Sequence, residues 1–98
     1  MNYDWIEAEV ETMLLTFEDP QERIIKEQAL IEEKTKKVYS FLPEHVEVRV
    51  LSEPIGKYRY VVWNLVINRA YGFEKWKDAE RLARKLKQHY LSGLRLLR

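Results

Sequence analysis

The spacing of apolar residues changes period along this chain, and that constrains the fold more than any other feature. Val46-Glu47-Val48-Arg49-Val50 alternates apolar and polar residues strictly, as a half-buried strand does. Further on, Trp76, Ala79, Leu82, Ala83, Leu86 and Tyr90 recur at three- and four-residue intervals and form one face of a helix over 74–92. Gly93 is a natural stop for that helix. A chain that alternates these periods must pack helices against a sheet, so an α+β layer is expected.

Between the two patterns, Tyr58-Arg59-Tyr60-Val61-Val62-Trp63 is β-branched and aromatic and predicts a second strand, antiparallel to the first. Ser52-Glu53-Pro54-Ile55-Gly56 predicts the turn between them. Asn64 and Asn68 can bracket a further turn, which leaves residues 69–72 as a short third strand. The alternative is a second strand continuing through Leu65-Val66-Ile67, but a strand over 58–72 would be unusually long.

The N-terminal part reads as helical. Asp4-Trp5-Ile6-Glu7 has the form of a capping box, and Ile6, Val10, Met13 and Phe17, with Leu14 beside them, fall on one face of a first helix. Asp19-Pro20-Gln21-Glu22 combines a cap, a Pro at the first helical position and a Glu three residues after the cap. It predicts a second helix, joined to the first by a short turn, striped by Ile24, Ile31, Val38 and Leu42 and ended by Pro43. The two helices would form an antiparallel hairpin. Gln28 and Thr35 interrupt the heptad, so a helix packed on its own domain is expected rather than a long zipper. The predicted order is α-α-β-β-(β)-α: a helical hairpin, a two- or three-stranded antiparallel sheet and a long amphipathic helix.

Ninety-eight residues, 46% of them hydrophobic, make one domain over 1–98 with a core of its own. With no Cys there is no disulfide framework, thiolate nucleophile or Cys-based zinc site. The apolar runs fall far short of the roughly 20 residues a membrane span needs, and the start of the chain lacks a secretory apolar run. A soluble, cytoplasmic protein is expected, of a cell or of something that replicates in one. Charged residues reach 34%, with only three Asn and three Gln, a composition that leans towards a thermophilic source.

Charge is segregated. Residues 1–34 carry three basic and ten acidic residues, 3 − 10 = −7, and residues 35–98 carry fourteen and six, 14 − 6 = +8. Such a split points either to a charged partner or to two halves that face each other in one fold.

Four surfaces follow. On the C-terminal helix, Lys77, Arg81, Arg84, Lys85 and Gln88 lie opposite the apolar stripe within about a quarter-turn. A rigid row of cations can neutralise phosphates, although a solvated helix face is the commoner meaning of such a row. On the sheet, alternation buries Val46, Val48 and Val50 and turns Glu47, Arg49 and Leu51 the other way. If Arg59 shares that outer face, Arg49, Arg59 and Trp63 form a basic-aromatic platform of the kind that holds nucleic acid. If the acidic hairpin covers the face, Trp63 is core. The order of strands followed by an amphipathic helix resembles the arrangement in integrase-type sheet DNA binders and in the second half of double-stranded-RNA-binding domains. The likeness is one of topology.

Third, Leu94, Leu96 and Leu97, with Leu91, are apolar for a terminus and suit docking on the chain's own domain, on a partner or on a second copy. Trp5 and Leu15, off the first helix's stripe, pose the same choice. Fourth, the acidic residues from Glu7 to Glu33 can imitate a phosphate array or grip a basic protein, or simply keep the chain soluble. Against an enzyme, His45 and His89 are far apart, Gly56, Gly72 and Gly93 are isolated, and Ser40, Ser52 and Ser92 lack a nucleophile context. No catalytic, metal or cofactor-binding residue is indicated. The expected function is non-enzymatic binding or regulation, either of nucleic acid through Lys77, Arg81, Arg84 and Lys85 with Arg49, Arg59 and Trp63, or of a protein partner or homodimer through the acidic hairpin or the Leu-rich tail.

Overall fold

The computed structural model describes residues 4–16, 23–25, 27–42 and 46–96. Three helices and five strands follow in the order α1 (Asp4–Leu15), β1 (Arg23–Ile25), α2 (Gln28–Lys34), β2 (Thr35–Leu42), β3 (Val46–Ile55), β4 (Tyr58–Asn64), β5 (Arg69–Phe73) and α3 (Trp76–Leu96). The strands form one sheet in the order β1-β5-β4-β3-β2, with every neighbouring pair antiparallel. The α+β class is as expected.

The expected helical hairpin is not formed. α1 starts at Asp4 and stops at Leu15, where the Thr16 amide and hydroxyl both donate to the Met13 carbonyl at 3.0 and 2.6 Å. Phe17 and the Asp19-Pro20-Gln21-Glu22 signal lie outside the described residues. The stretch expected as one long second helix is instead a three-residue strand, a seven-residue helix and an eight-residue strand. Ile24, Ile31 and Val38 stand seven apart, but no continuous helix joins them. Thr35-Lys36-Lys37-Val38-Tyr39-Ser40-Phe41-Leu42 is rich in β-branched and aromatic residues and gains a six-pair ladder with β3, shifted in register at two places, a long-range gain that overrides the helical spacing. α2 ends because its last carbonyls are taken by hydroxyls: Thr35 Oγ1 donates to the Ile31 carbonyl at 2.5 Å and Ser52 Oγ to that of Lys34 at 2.7 Å.

The expected turn over 52–56 is also corrected. β3 runs on to Ile55 through an irregular register after Val50, and the turn is Gly56-Lys57, with Gly56 at φ +62°. A left-handed residue at that position matches the twist of a two-residue hairpin. The Asn64–Asn68 turn and the third strand of the expected set are present, with Asn64 paired to Arg69 and Asn68 at φ +52°. α3 passes through Gly93 to Leu96 rather than stopping there. A single helical Gly costs only about 1 kcal/mol.

Both faces of the sheet are covered. On one, Val46, Val48, Val62, Tyr71 and Phe73 meet Ala79, Leu82, Ala83, Leu86 and Tyr90 of α3, with Val10 of α1 fully buried beside them. On the other, Leu51, Val61, Trp63, Ala70 and Ile25 pack around Ile31 of α2. Burying a side chain the size of Ile31 contributes about 1.5–3 kcal/mol, and Ile31 is the buried residue that anchors this short helix. Gly72 is where β1 closes on the sheet: a Cβ there would fall 2.5 Å from Ile25 Cδ1 and 2.8 Å from Tyr58 Cγ.

Candidate nucleic-acid interface

The α3 stripe faces the sheet, so helical geometry turns positions 77, 81, 84, 85 and 88 to solvent. All five side chains are exposed. With Glu80 they line one shallow depression of ≈ 390 Å³ along the outer face of the helix. From Lys77 to Lys85 the row covers nine residues, or about 12 Å of axis. Arg81 is held by Asp78 (Nη2 to Oδ1, 3.2 Å). Arg84 grips Glu80 Oε1 through both Nε (2.9 Å) and Nη2 (2.7 Å). Exposed i,i+3 and i,i+4 pairs are worth only about 0.3–0.5 kcal/mol, so a phosphate can displace either. Asp78 also suits the positive end of the helix dipole.

The sheet platform is corrected. Arg49 and Trp63 do come together, with the guanidinium 4.1 Å from the indole ring centre, but they point inward under α2. Arg49 is 8% and Trp63 4% exposed. The guanidinium is already neutralised, by Glu47 at 2.6 Å and by Glu32 of α2 at 2.8 Å, and Trp63 Nε1 donates to Asn68 Oδ1 at 3.2 Å. Trp63 is therefore core, covered by α2 in place of the hairpin that was expected. Neither residue is open to a base.

Arg59 is exposed but stands elsewhere. Tyr60 pairs with Phe73, and its ring meets that of Trp76 edge-to-face at 5.6 Å. The β3–β4 hairpin and the start of α3 therefore share one end of the sheet. Lys57, Arg59, Lys75 and Lys77 are all exposed there, with Glu74 among them. Lys57 and Lys75 were not singled out from the sequence, because only the strand pairing brings the hairpin to the helix. The Gly-Lys of the hairpin turn was the available signal.

A polar node fixes the other end of α3. Asn64 is fully buried. Its Oδ1 accepts from the Tyr90 hydroxyl at 2.8 Å and from the Val66 amide at 3.1 Å. Nearby, Arg69 of β5 pairs with Glu7 of α1. Burial, then the Glu7 charge, push the Tyr71 phenol above the ordinary tyrosine range, so it stays protonated. This node positions elements and presents no group to a ligand. Of the expected docking leucines, Leu91 is 39% exposed, Leu94 and Leu96 lie on the helical backbone of α3, and Leu97 lies outside the described residues. Among the described residues no helix is long and apolar enough to cross a membrane.

No family model matches the chain, and neither the curated proteins nor the solved structures contain a match to it.

Proposed function

We propose that this protein is a small non-enzymatic nucleic-acid-binding protein that holds its ligand through Lys77, Arg81, Arg84 and Lys85 of α3. One observation carries the reading: four cations and a single carboxylate line one depression on the outward face of a rigid helix. Counting Asp78 as well, the row carries 4 − 2 = +2. Cations on a fixed scaffold release counterions from a phosphate backbone, and the backbone that carries them needs no ordering on binding. Arg49 and Trp63 have no part in it, since both are enclosed.

The test is fluorescence-anisotropy titration of mixed-sequence nucleic acid with the wild type and with Arg84→Glu/Lys85→Glu. Both side chains are exposed, so the fold should survive, and circular dichroism checks that. Wild-type affinity should fall steeply with added salt, and the double reversal should abolish binding. Absence of wild-type binding at low salt sinks the proposal.

A second reading is favoured by a separate observation. Leu91 and Leu15 stand 39% and 86% exposed on the two helices that pack on the same face of the sheet. A protein partner or a second copy would cover them. Light scattering with the wild type and Leu91→Lys tests the homodimer. A monomer mass for both excludes it.

A further inference from the structure

We infer that α1 and α3 form one self-complementary surface on which a second copy of this chain docks face to face, each acidic α1 lying on the basic α3 row of the other copy. The inference rests on the second-copy reading above and adds an arrangement to it.

The shape of the surface comes from α1, which is apolar on both sides. Val10, Met13 and Leu14 pack inward against the core. Ala8, Thr12 and Leu15 fall on the opposite side, within roughly 60° of one another, and all three are exposed. A helix that packs by one stripe normally turns polar residues to water along the middle of its outer face. Here Leu15 stands there 86% exposed, and Thr12 spends its hydroxyl on the Ala8 carbonyl at 2.9 Å. The exposed Glu9 and Glu11 flank this strip. α3 is the converse, with cations along its outer face and Leu91 39% exposed near its end.

Charge names the occupant. α1 holds four acidic residues and no basic one, −4, and α3 holds six basic and two acidic, 6 − 2 = +4. Both helices pack on the same face of the sheet. Two copies that meet through this layer can be related by two kinds of two-fold axis. One lays α1 on α1 and α3 on α3, like charge on like. The other exchanges the helices, so that each α1 meets the other copy's α3 and both contacts form at once. Complementary potentials fix such a register and suppress the wrong one. A foreign protein would have to match an acidic strip and a basic row side by side, which a second copy does by symmetry. The contact is isologous and closes at two copies. Arg81 and Arg84 take their partners from their own helix, Asp78 at 3.2 Å and Glu80 at 2.7 Å, and exposed pairs of that kind exchange for another carboxylate at little cost. The row is also the one proposed for nucleic acid, so the dimer and a polyanion complex exclude each other.

The test is charge exchange between copies, read by light scattering and by native mass spectrometry, which separates homodimer from heterodimer. At low salt the wild type should show twice the monomer mass and fall towards the monomer as salt is added. Glu9→Lys/Glu11→Lys and Arg84→Glu/Lys85→Glu should each weaken self-association about tenfold or more, the loss of four exposed pairs in a symmetric dimer. An equimolar mixture of the two variants should restore a dimer, as a heterodimer, which also shows that both are folded. Glu27→Lys/Glu33→Lys carries the same total charge as the α1 reversal but places it on α2, across the sheet. It should self-associate like the wild type and form no heterodimer with Arg84→Glu/Lys85→Glu. A dimer indifferent to either reversal, a mixture that stays monomeric, or a control mixture that pairs equally well overturns the arrangement. If Leu91→Lys still splits the dimer in those cases, the second-copy reading stands without it. If the wild type is a monomer at low salt, that reading has failed first.

Discussion

Asn64→Ala tests whether the buried node holds α3 to the sheet. Asn64 is the only uncharged polar residue among the described residues that lies fully within the core. Its Oδ1 serves two donors, the Tyr90 hydroxyl at 2.8 Å and the Val66 amide at 3.1 Å. Losing the acceptor removes both bonds, and a buried group left unsatisfied costs about 1–3 kcal/mol. Val66 is half-buried, so water can partly replace its bond. Asn64 Nδ2 makes no hydrogen bond among the described residues, so its removal returns something. The net loss should be about 2 kcal/mol, against a total of about 5–15 kcal/mol for a chain of this length. Urea unfolding followed by tryptophan fluorescence should show the midpoint falling by about 1 M, at a slope of about 1–3 kcal/mol per M. Tyr90→Phe should cost about 1 kcal/mol in the wild type and little in Asn64→Ala, because the bond is already lost. A loss below about 0.5 kcal/mol, or equal Tyr90→Phe costs in both backgrounds, would refute the node.

Two further outcomes follow from contacts. Gly72→Ala should destabilise by about 1–3 kcal/mol through overpacking, and Ile25→Val should recover part of the loss, because its Cδ1 is the atom nearest the new methyl; strictly additive costs in thermal unfolding would show that β1 does not close on β5 there. Glu80→Gln frees Arg84 and removes the one carboxylate from the depression, so nucleic acid should bind about twofold tighter or better at low salt, the worth of an exposed pair, and weaker binding in the anisotropy assay would contradict the proposed site.

What could be read from the sequence was local. The alternation of 46–50 and the stripe of 76–90 each arise from residues within one element, and both elements formed. The turn at 64–68 was legible for the same reason: Asn64 bonds a backbone amide two residues on, and Asn tolerates the left-handed region. β1 was not legible. Three residues carry no period, and their partners, 70–72, lie more than forty positions away. The 24/31/38 spacing fits a helix, and the pairing of β1 with β5 and of β2 with β3 decides against it. The site divides in the same way. The cationic row follows from helical periodicity alone, while the place of the β3–β4 hairpin beside the start of α3 requires knowing which strands pair. Alternation correctly put Arg49 and Trp63 on one face, but their enclosure depends on α2, which was hidden inside the expected long helix.

The charge split has a structural consequence that neither expectation captured whole. Part of the acidic half does face the basic half: Glu7 reaches Arg69 and Glu32 reaches Arg49. In those pairs charge is consumed in joining α1 to β5 and α2 to β3. α3 differs, because its arginines at 81 and 84 take partners from their own helix, Asp78 and Glu80, and short-range pairs of that kind yield to a phosphate at little cost. Beside it on the same face of the sheet, α1 exposes Glu9 and Glu11. An acidic helix next to a basic one gives the surface a direction, although the total charge is only +1. On the proposed reading, a polyanion would be drawn to α3 and repelled from α1, which orients the encounter. On that reading the small total charge limits how tightly a polyanion would be held, and the segregation determines where.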